Sequence, residues 1–291
     1  MLTGSLRGDI EHQLRYGSTT VKIIWVNVAV FLAVSLLRVV AFFTGWEAPV
    51  NFVLRECMAP ASFSDAIRHP WSLIIYSFFH INIFHILFNM LWLYWFAGIL
   101  VTYHTERRIL PLYLCGALLG WALFAMAVNF IPVLRPGGKA ALLGASAGIM
   151  AVVWAAVTFN PSHTVNLLFI GRLKVIYVAL IAMLIDFLAV ADGKAGTWFA
   201  HLGGALMGWM YVRLLRTGVD LFRPLQWIGQ KNVAKASMCV NKQQPRKHAA
   251  QKRSADEQKR LDEILDKISA SGYESLTREE KEFLFRYSQR L

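Results

Sequence analysis

The chain has 291 residues, 56% of them hydrophobic and only 16% charged, with a mean hydropathy of +0.44. A soluble chain of this length carries about a quarter charged residues, so an ordinary soluble globular protein is excluded. The formal net charge of +12 invites a nucleic-acid reading, but much of the basic excess sits in short loops beside apolar runs and in the C-terminal tail. Membrane topology places it there, and no nucleic-acid partner is expected.

In chain order, residues 1–20 are mostly polar and form an N-terminal segment, expected to be cytoplasmic. Val21 to about Phe43 is a first apolar run. About 20 such residues cross a bilayer core of roughly 30 Å, and this run is too long for a signal-peptide core, so it reads as a retained span. Residues 44–79, with Pro49, Pro60 and Pro70, are too apolar for a solvated loop. They are expected partly in the membrane interface, where Trp46 and Trp71 are at home. Further spans are read at about Asn82–Tyr103, Ile109–Ile131, Leu142–Phe159, Leu167–Val190 and Trp198–Leu215. The composition therefore predicts an all-α membrane protein, a six-helix domain over residues 21–217. With both termini inside, Arg7, Arg15, Lys22, Arg107, Arg108, Arg172, Lys174, Arg213 and Arg216 face inward. Arg38, Arg55, Arg68, Arg135, Lys139 and Lys194 face outward, and the inner excess favours this orientation.

Residues 218–255 are read as a basic linker and 256–291 as a small soluble helical hairpin. Leu261, Ile264, Leu265 and Ile268 share one helical face, Gly272 is a stop signal, and Thr277-Arg278-Glu279-Glu280 is a capping box that opens a second helix. Nothing in the hairpin points to chemistry. It is expected to be a folded appendage or to bind a cytoplasmic partner.

In this topology spans 2, 4 and 6 all start on the outer side. Ser146 opens span 4, His201 lies a turn into span 6, and His80, His85 and Asn89 lie at the start of span 2. Polar groups in a bilayer are costly and usually face an interior cavity or a partner. A serine and an imidazole at one depth form a nucleophile and its base. The Asn89 amide, a His85 ring N–H and the Ser146 backbone N–H are suitable donors to an oxyanion, and His85 and Asn89, four apart, share a helix face. Two blander readings weigh less. Gly144-Ala145-Ser146-Ala147-Gly148 fits the G-x-S-x-G elbow, but the alternating strands and helices that motif needs are missing. A serine among small residues is ordinary packing in membranes, and Gly144, Gly148, Gly204 and Gly208 are expected to be helix-packing residues that let spans approach. No metal is expected: His80 and His85 are five apart, and no Asp, Glu or Cys joins them. His80 is read as a loop or substrate-proximal residue. His69, His104 and His163 are read as surface or interface residues. Asp186, near the outer end of span 5, is read either as tuning the site or gating substrate entry, or as snorkelling or pairing at the interface.

The segments His80-Ile-Asn-Ile-Phe-His85-Ile-Leu-Phe-Asn89-Met, Gly144-Ala-Ser146 and Ala200-His201-Leu-Gly-Gly204-Ala resemble the three signature segments of the rhomboid intramembrane serine proteases, in that family's order. The resemblance covers roughly residues 20–217. It implies that Ser146 is the nucleophile, His201 the general base, and His85 and Asn89 the oxyanion stabilisers, with no cofactor. It also implies an amphipathic, membrane-embedded first loop and single-span membrane-protein substrates, cut near the outer end of the transmembrane segment. A bacterial inner membrane is the implied setting. The chain departs from the family pattern at Ala147, usually glycine, at Met150, often an aromatic, and at Trp71-Ser72, usually Trp-Arg.

Overall fold

The structure, a computed structural model, describes residues 17–134, 140–167, 171–223, 261–272 and 275–288. The basic residues Arg7, Arg15, Arg135 and Lys139 and most of the predicted linker lie outside the described residues. The chain divides into two units, at residues 1–222 and 223–291.

Among the described residues, the first unit is built on six helices of 14 residues or more. Helix α1 spans Thr19–Thr44, capped by the Ser18 hydroxyl, which accepts the Val21 N–H at 3.2 Å. It ends at Gly45, whose φ of 70° suits a residue without a Cβ. The first connection then folds into α2 (Ala48–Cys57), a short strand β1 (Ala59–Pro60), α3 (Phe63–Arg68) and α4 (Ser72–Ile75). Trp71, exposed on this connection, donates its indole N–H to the Glu56 carbonyl at 3.1 Å. Ser72 beside it is fully buried and donates to the His69 carbonyl at 2.7 Å. A serine fits that enclosed position, where a longer charged side chain has no room.

Helix α5 (Ile83–Val101) is capped by Asn82, whose side chain accepts the N–H groups of Phe84 and His85. After it come α6 (Ile109–Phe130), strand β2 (Ala141–Leu142), α7 (Ser146–Phe159), strands β3 (Thr164–Leu167) and β4 (Gly171–Lys174), α8 (Val175–Leu188) and α9 (Ala195–Arg216). Helices α1, α5, α6 and α8 with their flanks are long and apolar enough to cross a membrane. With their exposed Leu, Ile, Phe and Trp faces, they mark a membrane protein. Helix α7 is apolar but has only 14 residues.

Two predicted spans start later than their hydropathy does. Span 4 was expected from Leu142, but Ala141–Leu142 pairs antiparallel with Ala59–Pro60. Gly144 has φ +121°, outside the helical region, so the helix begins at Ser146. Span 5 was expected from Leu167. Instead Thr164–Leu167 pairs with Gly171–Lys174 in an antiparallel hairpin, and the helix begins at Val175. The polar residues Asn166, Arg172 and Lys174 break the apolar run there. Hydropathy averaging over the window hides such a break.

Helix α7 is the centre of the unit. Ten of its residues, among them Ala147, Gly148, Met150, Ala151 and Ala155, are buried, enclosed by α5, α6 and α9. Small residues make this possible. A Cβ on Gly204 would collide with the Ala147 carbonyl, and one on Gly208 with the Ala151 carbonyl. A Cβ on Gly148 would stand 2.7 Å from the Tyr113 carbonyl oxygen of α6.

At the end of the bundle away from Ser146, Arg108 is buried and ion-paired with Asp220, and His104 bonds the Tyr211 hydroxyl. Burial, then the Arg108 charge, lowers the His104 pKa, which Asp220 partly offsets. His163 bonds the Tyr103 hydroxyl at 3.0 Å, and His69 bonds Glu56 at 3.0 Å. Each of these three histidines thus has a partner that sequence reading did not supply.

In the second unit, residues 261–271 are helical and Gly272 follows with φ +79°. Helix α11, Arg278–Ser288, follows the helix at 261–271, here α10. Its capping box is reciprocal: Glu280 Oε2 accepts the Thr277 N–H at 2.7 Å, and Thr277 Oγ1 accepts the Glu280 N–H at 3.4 Å. Lys267 on α10 donates to both Glu280 carboxylate oxygens at 3.0 Å. Ile264 and Leu276 are buried.

Candidate active site

Ser146 is the first residue of α7, so its N–H has no partner within the helix. The loop before it is held from several sides. Gly144 N–H donates to the Tyr76 carbonyl at 3.0 Å. The Tyr76 hydroxyl donates to the Ala117 carbonyl of α6 at 2.7 Å. The β1–β2 pairing extends through the Ala61 N–H, donated to the Ala140 carbonyl at 2.9 Å.

The structure brings Ser146, His201, Asn89 and Met150 onto one largely apolar cavity of about 620 Å³ between α5, α7, α8 and α9. A second cavity of about 260 Å³ touches Ser146 and His201 from the other side and carries His85. Ser146 and His201 thus share both cavities. No hydrogen bond joins them among the described residues, and the buried His201 Nε2 has no partner there. The other ring nitrogen is engaged: His201 Nδ1 lies 2.6 Å from Asp186 Oδ2.

His80, read from sequence as a loop or substrate-proximal residue, is fully buried. Its Nε2 lies 2.9 Å from the Asn89 amide nitrogen and 3.4 Å from the Ala145 N–H, which donates to it. With two donors aimed at it, Nε2 is the unprotonated nitrogen, and the proton sits on Nδ1. Burial, with His85 as a second cause, pushes the His80 pKa down to about 4, against a smaller opposing contact with the Phe78 backbone. The ring is therefore neutral at physiological pH. It holds one Asn89 N–H and the residue before Ser146 in register, and leaves the second Asn89 N–H for the cavity. The sequence signal was the H-x4-H-x3-N spacing itself.

Gly144 does not pack between helices as expected. It lies outside α7, and a Cβ there would stand 2.7 Å from His85 Cε1. Glycine lets the His85 ring lie against the backbone two residues before the serine. The His80 and His85 rings meet edge to face at 5.1 Å. Ala147 faces α6, where a Cβ on Gly120 would stand 2.6 Å from its own Cβ. The missing side chain of Gly120 makes room for an alanine after the serine, and that of Gly204 for the Ala147 carbonyl.

A bundle of apolar helices whose half-buried serine shares its cavities with two histidines and an asparagine from other helices defines a class: rhomboid-type membrane proteins. The family model for the Rhomboid domain matches residues 68–218, more than half of the chain, and the chain belongs to the rhomboid family. A second model, DUF6576, a family of unknown function, matches residues 248–290. The chain is similar to RHOMBOID-like protein 12, mitochondrial, of Arabidopsis thaliana, at 28% identity over 155 residues. That match covers 49% of this chain and 46% of the relative, so the chain spans about half the relative's length.

Proposed function

We propose that the protein is an intramembrane serine endopeptidase that cleaves single-span membrane proteins near the outer end of their transmembrane segment. Six crossings with both termini inside belong to this reading, as does a bacterial inner membrane, which fractionation would test against the mitochondrial setting of the relative. The observation that carries it is the buried, unpartnered His201 Nε2 on the cavities that Ser146 also lines.

In this reading the reaction runs as follows. The Ser146 Oγ proton passes to His201 Nε2 as Oγ bonds the scissile carbonyl carbon. The carbonyl oxygen becomes an oxyanion, held by the Ser146 N–H at the helix start, the free Asn89 N–H and a His85 ring N–H. His201 returns the proton to the amide nitrogen, the C–N bond breaks, and the amine product leaves. Water then gives a proton to His201 and attacks the acyl carbon, and Ser146 regains its proton as the acid product departs. The apolar cavity wall of Phe88, Trp92, Ile149, Val178, Ile181 and Ile185 suits an unwinding transmembrane segment.

Purified protein in detergent should cleave a single-span reporter and take up a fluorophosphonate at Ser146. Ser146→Ala should abolish both, and cleavage undiminished in that variant would sink the reading. A second reading, a transmembrane-helix binder without catalysis, draws on the missing Ser146–His201 hydrogen bond. A folded wild-type protein that takes up no fluorophosphonate would favour it, although catalytic hydrogen bonds are often long before substrate binds.

A further inference from the structure

We propose that Asp186 is a positioning residue for His201, so that the site works as a Ser146–His201–Asp186 relay; this rests on the protease reading above. Asp186 lies near the end of α8 and His201 early in α9, and the tight connection between them folds the two side chains together. Asp186 Oδ2 sits 2.6 Å from His201 Nδ1, short even beside the roughly 2.7–2.9 Å of charge-assisted N–H···O bonds. Among the described residues no Lys or Arg ion-pairs with Asp186, so the imidazole is its partner there. Asp186 also lines the cavity that holds Ser146, Asn89 and Met150.

The consequence is one of tautomer. An ionised carboxylate only accepts hydrogen bonds, so His201 must carry its proton on Nδ1. Nε2, buried and unpartnered, is then left with the lone pair that takes the Ser146 proton. The same contact fixes the ring plane and stabilises the imidazolium that forms as Ser146 attacks. The groups facing His201 are His85 from α5, Ser146 from α7 and Asp186 from α8; Asp186 is the carboxylate among them. Its side chain is 31% exposed, so its effect should fall short of that of a fully enclosed carboxylate.

The test uses the full-length protein with Asp186→Asn, Asp186→Ala and Asp186→Glu, assayed on a single-span reporter. We expect Asp186→Asn to lower kcat by about 10²-fold, less than the roughly 10⁴-fold of a fully enclosed triad, with KM nearly unchanged. Asparagine should be no better than alanine, because its amide N–H can hold His201 in the wrong tautomer, and glutamate should recover part of the loss. Nitrogen NMR of histidine-labelled protein, with His201→Ala for assignment, should show the Nδ1–H tautomer in wild type and its loss in Asp186→Ala. Unchanged kcat in both Asn and Ala variants, a loss confined to KM, or an Nε2–H His201 in wild type would each overturn the proposal. Cleavage that survived Ser146→Ala would overturn the protease reading instead, while the tautomer spectrum would still decide the Asp186–His201 pair.

Discussion

Helices α7 and α8 carry two parts of one site and are held in opposite ways. Helix α7 is buried over most of its length, against glycines of α6 and α9. Helix α8 buries only Val175 and Ala179 and exposes Leu180, Ile181, Leu184, Ile185 and Leu188. Ser146, the nucleophile of the proposed reaction, thus heads a closely packed helix, and Asp186 stands on a helix whose apolar side chains are mostly exposed. Catalytic geometry needs positional precision, whereas a substrate helix needs an entrance. In the protease reading, the contrast teaches that the two needs fall on neighbouring helices.

The sharpest way to break the contrast is to crowd α7. Gly204→Val should abolish cleavage and lower the thermal midpoint strongly, since overpacking a close-fitted contact costs about 1–3 kcal/mol or more, here against the carbonyl next to Ser146. Gly98→Val on α5 is the control: a Cβ there meets nothing within 4 Å, and both readouts should stay near wild type. Next in size is His80→Ala, expected to lower kcat roughly tenfold with little change in KM, because it frees Asn89 and Ala145 together; a pure KM effect would count against that role. The same histidine has a pH signature. Its folded pKa of about 4 lies below an unfolded value of roughly 6.5. The stability it contributes is fully present above the unfolded value and is lost as pH falls through about 4. Thermal melts from pH 7 to pH 4 should show a decline that His80→Ala lessens.

Ala147→Gly should not raise kcat, since Gly120 already accommodates the alanine methyl, and should cost about 1 kcal/mol of helix propensity. A large gain in rate would mean that Ala147 obstructs the site. On the lipid-facing helix, Leu184→Ala should change the thermal midpoint little, as expected away from the core. The smallest effect belongs to the tail. The Thr277 N–H, then Lys267, holds the Glu280 carboxyl below its ordinary range. The stabilisation is therefore present at neutral pH and lost as pH falls through that lowered value. Glu280→Gln should reduce helicity of the tail slightly and leave cleavage unchanged.

Much of the candidate site is legible in the sequence. Ser146, His201, His85 and Asn89 stand out because a polar group at the start of a 20-residue apolar run is a local oddity, readable from one stretch at a time. The later starts of α7 and α8 were not visible, because strand pairing between Ala59–Pro60 and Ala141–Leu142 and a φ of +121° at Gly144 leave no mark on mean hydropathy.

By itself the sequence determined a membrane chain, the order of its apolar segments and the residue types available for chemistry, since these depend on composition and spacing along the chain. Only the tertiary structure decided what each polar group faces. It made His80, within its loop, the buried acceptor that holds Asn89, moved Gly144 from helix packing to contact with the His85 ring, and set Asp186 against His201 Nδ1. The physical reason is that a hydrogen bond forms over less than 3.5 Å between atoms far apart in the chain, and no pattern along one strand of sequence carries that distance.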